Sequence, residues 1–145
     1  MIESIESSLL PVYEWESPTN AIMGGFSLDK LKYGYQLQYL TYLETLSKII
    51  PVKYFANKDC QKYIKLEIDV SNIEFFDYQL DSIWIRDYAP IWLRSKVNQN
   101  YAIVNFPYGA NHFEKSQADD GFSAKLSDYL GIILTIDSFC FIAIF

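Results

Sequence analysis

Tyr35, Tyr39, Tyr42, Leu43, Leu46, Ile49 and Ile50 recur at three- and four-residue steps, the period of one helical face packed on a core. It is the strongest periodic signal in the chain. Pro51 ends this helix, because proline cannot continue the hydrogen-bond ladder. Ahead of it, Pro11, Pro18 and their polar neighbours predict an irregular lead-in over residues 1–20, followed by a strand from Ala21 to Phe26. Gly24 and Gly25 inside that strand predict a bulge or a close approach of another backbone. Beyond Pro51, a short strand reaches Ala56, and Asn57 or Asp59 can cap a second helix through about Leu66. Strands follow at Asn72 to Tyr78, Ser82 to Arg86 and Ala89 to Ser95. The polar Asn98-Gln99-Asn100 turns the last of these into a hairpin with Tyr101 to Phe106. Asp119 or Asp120 can cap a helix carrying Phe122, Leu126, Tyr129 and Leu130, with Gly131 at its C-terminus and a final strand at Ile132 to Ile136. Strands alternating with helices make the fold class α/β. No linker or low-complexity tract divides the chain, so residues 1–145 read as one domain, with α/β units over 21–136 and an apolar tail at 137–145.

Composition narrows the function more than the fold. Half of the residues are hydrophobic and 21% are charged, so the chain folds rather than staying disordered. The net charge of −6 and the lack of clustered Lys and Arg argue against a nucleic-acid partner. Cys60 and Cys140 stand far apart and form no paired motif, so neither a disulfide framework nor a zinc site is expected. The acidic N-terminus lacks the pattern of a secretion signal, and no apolar run reaches the roughly 18 to 20 residues of a membrane span. A cytoplasmic protein without a membrane partner is the expectation.

The chemistry concentrates in Asp81-Ser82-Ile83-Trp84-Ile85-Arg86-Asp87-Tyr88-Ala89-Pro90. On an ideal strand Trp84 and Asp87, three residues apart, would point to opposite faces. They can share a site only if the backbone turns near Arg86, and Tyr88-Ala89-Pro90 makes such a turn reasonable. A carboxylate beside an aromatic plane suits a guanidinium, which donates paired hydrogen bonds to the one and stacks on the other. The plainer alternative is an internal Arg86–Asp87 ion pair, with Trp84 and Trp92 as core. The residues alone leave both open.

This segment closely resembles the Trp-x-Arg-Asp-x-Gly-Pro signature of agmatine deiminases and Porphyromonas-type peptidylarginine deiminases. Glu14-Trp15-Glu16 with Ala21-Ile22-Met23 resembles the opening of the same family. Val104-Asn105-Phe106-Pro107-Tyr108, Asp119-Asp120 and Leu130-Gly131 resemble the region after the signature. The likeness runs to about residue 135, and Ala89 stands where the family usually has glycine.

The resemblance implies part of a pentein, a propeller of five ββαβ modules, of which this chain would supply about two. It implies hydrolysis of a guanidino group to a ureido group and ammonia: agmatine to N-carbamoylputrescine, or peptidyl-arginine to citrulline. Agmatine is favoured by the missing secretion signal. A cysteine thiolate attacks the guanidinium carbon, histidine moves protons and carboxylates hold the substrate. Neither metal nor cofactor is needed. Asp87 matches the guanidinium-binding aspartate, Trp84 the tryptophan walling the pocket, and Arg86 and Asp81 supporting positions.

The family's His-x-Asp motif and nucleophilic cysteine fall later in a full-length enzyme, so a truncated, inactive copy is expected, completed by a C-terminal fragment if at all. His112 makes no His-x-Asp, and Cys140 sits in an apolar run that should leave it inert. Cys60, near a predicted helix N-terminus, has some thiolate character in its favour but is better read as structural. The alternatives to a deiminase are a guanidinium-binding module without catalysis and an interaction protein that self-associates through its apolar tail.

Overall fold

The computed structural model describes residues 9–11, 20–83, 85–96, 100–105 and 117–136, with the backbone alone for 9–11, 86, 87 and 133–136. It is a mixed α/β arrangement of two sheets. The first is all parallel, in the order β2 (Ala21–Gly24), β3 (Val52–Ala56), β4 (Ile73–Asp77). Parallel neighbours need crossovers. Helix α1 (Tyr35–Ser47) joins β2 to β3, and α2 (Lys58–Glu67) joins β3 to β4. The second sheet runs β1 (Leu9–Pro11), β5 (Ile91–Ser95), β6 (Tyr101–Asn105), β7 (Ile133–Ile136). Strands β5 and β6 form the expected antiparallel hairpin, and β7 returns parallel to β6 through α4 (Gln117–Asp120) and α5 (Phe122–Leu130). Together β5, β6, α5 and β7 make a ββαβ unit, while the first sheet runs βαβαβ. Between the sheets lies a short helix, α3 (Ile85–Tyr88).

Strand β3 builds two cores from one alternation, because successive side chains on a strand face opposite ways. Val52, Tyr54 and Ala56 join Met23, Phe26, Leu40, Leu43, Cys60 and Ile64 in a core with α1 and α2. Phe55 faces the other way and packs with Leu80, Tyr88, Phe122 and Leu126, joining the first sheet to α5 and α3. Asn57 caps α2 as expected, its side-chain oxygen accepting from the Cys60 amide at 2.9 Å, an interaction typically worth ~1 kcal/mol. Gly131 ends α5 in the left-handed conformation, φ 63°, again as the sequence predicts.

Four elements differ from expectation. The lead-in contains β1, which pairs antiparallel with β5 in the register Leu9 to Ser95 and Pro11 to Leu93. Pro11 is tolerated because β1 is an edge strand, where a missing donor need not break a ladder. The first strand stops at Gly24, two residues short of Phe26. The buried face of α1 carries Gln36, Leu40, Leu43 and Ser47, while Tyr35, Tyr42 and Ile49 are exposed. Ser82 to Arg86 is not a strand: the chain is irregular at Ser82 and Ile83 and helical from Ile85. Among the described residues, no helix is long and apolar enough to cross a membrane.

Candidate functional site

The parallel strands β2, β3 and β4 all end on the same side of the first sheet, and the signature segment begins there. In open α/β sheets this edge is where ligands usually bind. Gln79 ties the three strand ends together: its amide nitrogen donates to Phe26 O at 3.1 Å, and its side-chain oxygen accepts from Asn57 N at 3.3 Å. The chain then reaches Leu80, fully buried against Phe55, and turns into Asp81 and Ser82.

Those two residues are gripped from α4. Asp119 is 2% exposed, and both of its carboxylate oxygens are used. Oδ1 accepts from Asp81 N at 2.8 Å and from Ser82 N at 3.4 Å, while Oδ2 accepts from Ser82 Oγ at 2.9 Å. The grip is reciprocal, since Ala118 N donates to Asp81 Oδ2 at 3.0 Å. Tyr78 Oη fixes α4 from the strand side by donating to Ala118 O at 2.7 Å. Burial pushes the Asp119 carboxyl above the usual carboxylate range, opposed by the Ser82 hydroxyl and the two amides, with the nearby Asp81 charge adding to the rise.

Other elements fix the opposite side of the segment. Lys30 Nζ donates to Asp81 O at 2.6 Å. Tyr88, buried at the end of α3, donates its hydroxyl to Ser82 O at 2.8 Å. Ala89 N donates to Ile85 O at 2.8 Å and closes the helical turn, and Pro90 follows. The backbone therefore does turn beside Arg86, the condition under which Trp84 and Asp87 can serve one site. Ala89 packs against the Phe55–Tyr88 core, so its methyl has an apolar place to go. Gly25, at φ 85°, approaches so closely that a Cβ there would sit 1.9 Å from Ser82 O. The close backbone approach expected at Gly24-Gly25 is thus made to the signature itself.

Of the residues singled out from sequence, Asp81 has its place in this network. Arg86 and Asp87 lie on α3, where only their backbone is described. Trp84, His112, Cys140, Glu14-Trp15-Glu16, Phe106-Pro107-Tyr108 and the tail 137–145 lie outside the described residues. Cys60 does occupy the first turn of α2, but it is 2% exposed in the first core. Burial pushes its thiol up, and Asp29 and Asp59 add to the rise, so the thiolate character allowed by its position is not realised. Cys60 is therefore expected to react with a thiol reagent at neutral pH at least about tenfold more slowly in the folded chain than in urea. Peptide mass spectrometry would separate it from Cys140, and equal rates would contradict this burial.

The sequence alone does not single out Lys30 or Ala118, and it does not show that Asp119 and Tyr88 both bind Ser82. Asp119 is visible there as a candidate helix cap and as part of the stretch resembling the family after the signature, and the cap is not formed: α5 follows Gly121 without a side-chain cap bond. Among the described residues, no cluster of His, Cys, Asp or Glu could hold a metal ion.

Solved structures share this fold. Agmatine deiminase from C. jejuni with substrate bound superposes with a TM-score of 0.73 at 22% identity, covering 90% of this chain and 40% of that one. Agmatine deiminase of Enterococcus faecalis superposes with a TM-score of 0.75 at 11% identity, covering 92% of this chain and 39% of that one. The chain thus spans about 40% of the length of these structures and shares the fold of that part. No curated protein matches it significantly in sequence. The sequence model of the Porphyromonas-type peptidyl-arginine deiminase family matches residues 14–139. That match, over most of the chain's length and across the signature, establishes that the chain belongs to the Porphyromonas-type peptidyl-arginine deiminase family.

Proposed function

We propose that this chain supplies the guanidinium-binding wall of a deiminase that converts a guanidino group to a ureido group and ammonia. Asp87 takes the planar guanidinium through paired hydrogen bonds, and Trp84 walls the pocket. Arg86 and Asp81 hold the segment in shape. The observation that carries this reading is the family match across the Asp81–Pro90 signature, whose first residues are held at the carboxyl edge of a parallel sheet. Chemistry needs more than this wall. The thiolate that attacks the guanidinium carbon, and the histidine that moves protons, come from a segment that completes the site.

Calorimetry with agmatine, arginine and a blocked arginyl peptide tests the reading. Binding in the millimolar range or tighter is expected, weakened about tenfold or more in Asp87→Asn, because a charge-assisted pair is lost. The preferred ligand among the three separates an agmatine site from a peptidyl-arginine site. No heat from any of them at millimolar concentration would sink the proposal.

A further inference from the structure

Asp119 belongs to no motif of the signature, yet it is the group on which the first two residues of that segment converge. Isolating a carboxylate from water is costly unless its oxygens are satisfied. Asp119 meets that condition entirely within two consecutive residues: two amides and one hydroxyl, all from Asp81 and Ser82. It gives the same residues no freedom to slide, because Asp81 reaches back to the Ala118 amide. Asp119 and Asp81 are like charges, and simple packing would not bring them together. Each is held beside the other by hydrogen bonds to backbone donors, with the Lys30 ammonium on the Asp81 carbonyl. Two residues beyond Ser82 stands Trp84, and three beyond that Asp87.

We propose that Asp119 is a positioning residue of the guanidinium site, fixing the backbone at Asp81 and Ser82 and so the path that leads into Trp84 and Asp87. It rests on the guanidinium-binding reading above. Asp119 does not touch the ligand; it acts through the segment it clamps. The device also links the two sheets. Helix α4 is part of the crossover from β6 to β7.

Hydrogen exchange by mass spectrometry on the full chain tests positioning without a ligand. In Asp119→Asn the segment 81–88 should exchange about tenfold faster than in the wild type, while α1 and β3 keep wild-type protection. Calorimetry in parallel should give about a tenfold weaker affinity for agmatine, and Asp119→Ala should be worse than Asp119→Asn, which keeps one acceptor. Should Asp119→Asn fail to fold, Ser82→Ala removes only the bond to Oδ2, and exchange should still quicken within 81–88 alone. Wild-type exchange in that segment, or equal loosening across α1 and β3, would overturn the proposal. So would faster exchange with unchanged agmatine affinity, which is a stability role only. Absence of binding by the wild type is a separate result, which overturns the guanidinium reading, while the exchange rates still decide whether Asp119 holds the segment.

Discussion

Gly25→Ala should destabilise the protein by roughly 3 kcal/mol or more, near the top of the range for a single substitution. Two costs add. The residue sits at φ 85°, where an L side chain costs about 1–2 kcal/mol. Its new Cβ would also lie 1.9 Å from Ser82 O and 2.3 Å from Ser82 C, contacts with backbone that cannot swing aside like a side-chain tip. Relief requires Ser82 to move, and Ser82 is held by Asp119 and by the Tyr88 hydroxyl. Urea unfolding should therefore show a lower midpoint at an unchanged slope. Gly34→Ala is the control, since Gly34 has αR backbone and a methyl added there would meet nothing within 4 Å. That substitution should be neutral or stabilise by about 0.4–1 kcal/mol through the unfolded chain. Equal effects at the two glycines would refute the close approach of β2 to the signature.

The contrast between these glycines also marks what could be read from the sequence. A Gly-Gly pair in the expected strand told of a bulge or a close approach, but not of a partner 57 residues on, because that contact is made by topology and not by local pattern. The helix before Pro51 was legible as a helix, and its inner face only in part, through Tyr39, Leu43 and Leu46. Counting aromatic and aliphatic residues put Tyr35, Tyr42 and Ile49 inside. The packed face instead runs through Gln36, Leu40, Leu43 and Ser47. Gln36 goes inward because its side-chain oxygen accepts from Ser27 N at 3.3 Å, so a polar residue is satisfied in the interior. Tyr39 lies between, its hydroxyl bonded to both Gly24 N and Gly24 O. When apolar residues are plentiful, periodicity identifies the helix better than the stripe.

The signature repeats this lesson. Ile83-Trp84-Ile85, a short β-branched and aromatic run between Ser82 and Arg86, reads as a strand. A strand would offer the amides of Asp81 and Ser82 to a neighbouring chain. Here a carboxylate 37 or 38 residues away takes them instead, and α3 can begin at Ile85. No local propensity encodes that choice. Conversely, the Asn57 cap, the Gly131 terminator and the β5–β6 hairpin all depend on residues close in sequence, and each was legible.

Phe55→Ala should cost about 3–5 kcal/mol, because it opens a cavity where both halves of the fold meet. Phe55 is fully buried, the one residue of β3 in the second core, and rings surround it. It stacks on Phe76 at 5.0 Å, meets Phe122 edge-on at 4.9 Å and lies 5.9 Å from Tyr129. Phe76 belongs to the first sheet, whereas Phe122 and Tyr129 belong to the crossover of the second. Losing the ring therefore loosens α5 from the sheet as well as emptying a site. Phe122 in turn meets Tyr88 edge-on at 5.8 Å, and Tyr88 holds Ser82. The damage should thus spread to the signature, with faster exchange in 81–88 as well as in α5. Tyr42→Ala, on the exposed face of α1 at 58% exposure, should change stability by no more than about 0.5 kcal/mol. If Tyr42→Ala proved the costlier of the two, the aromatic stripe would be the true inner face of α1. Phe55 would then lose its place as the joint between the sheets.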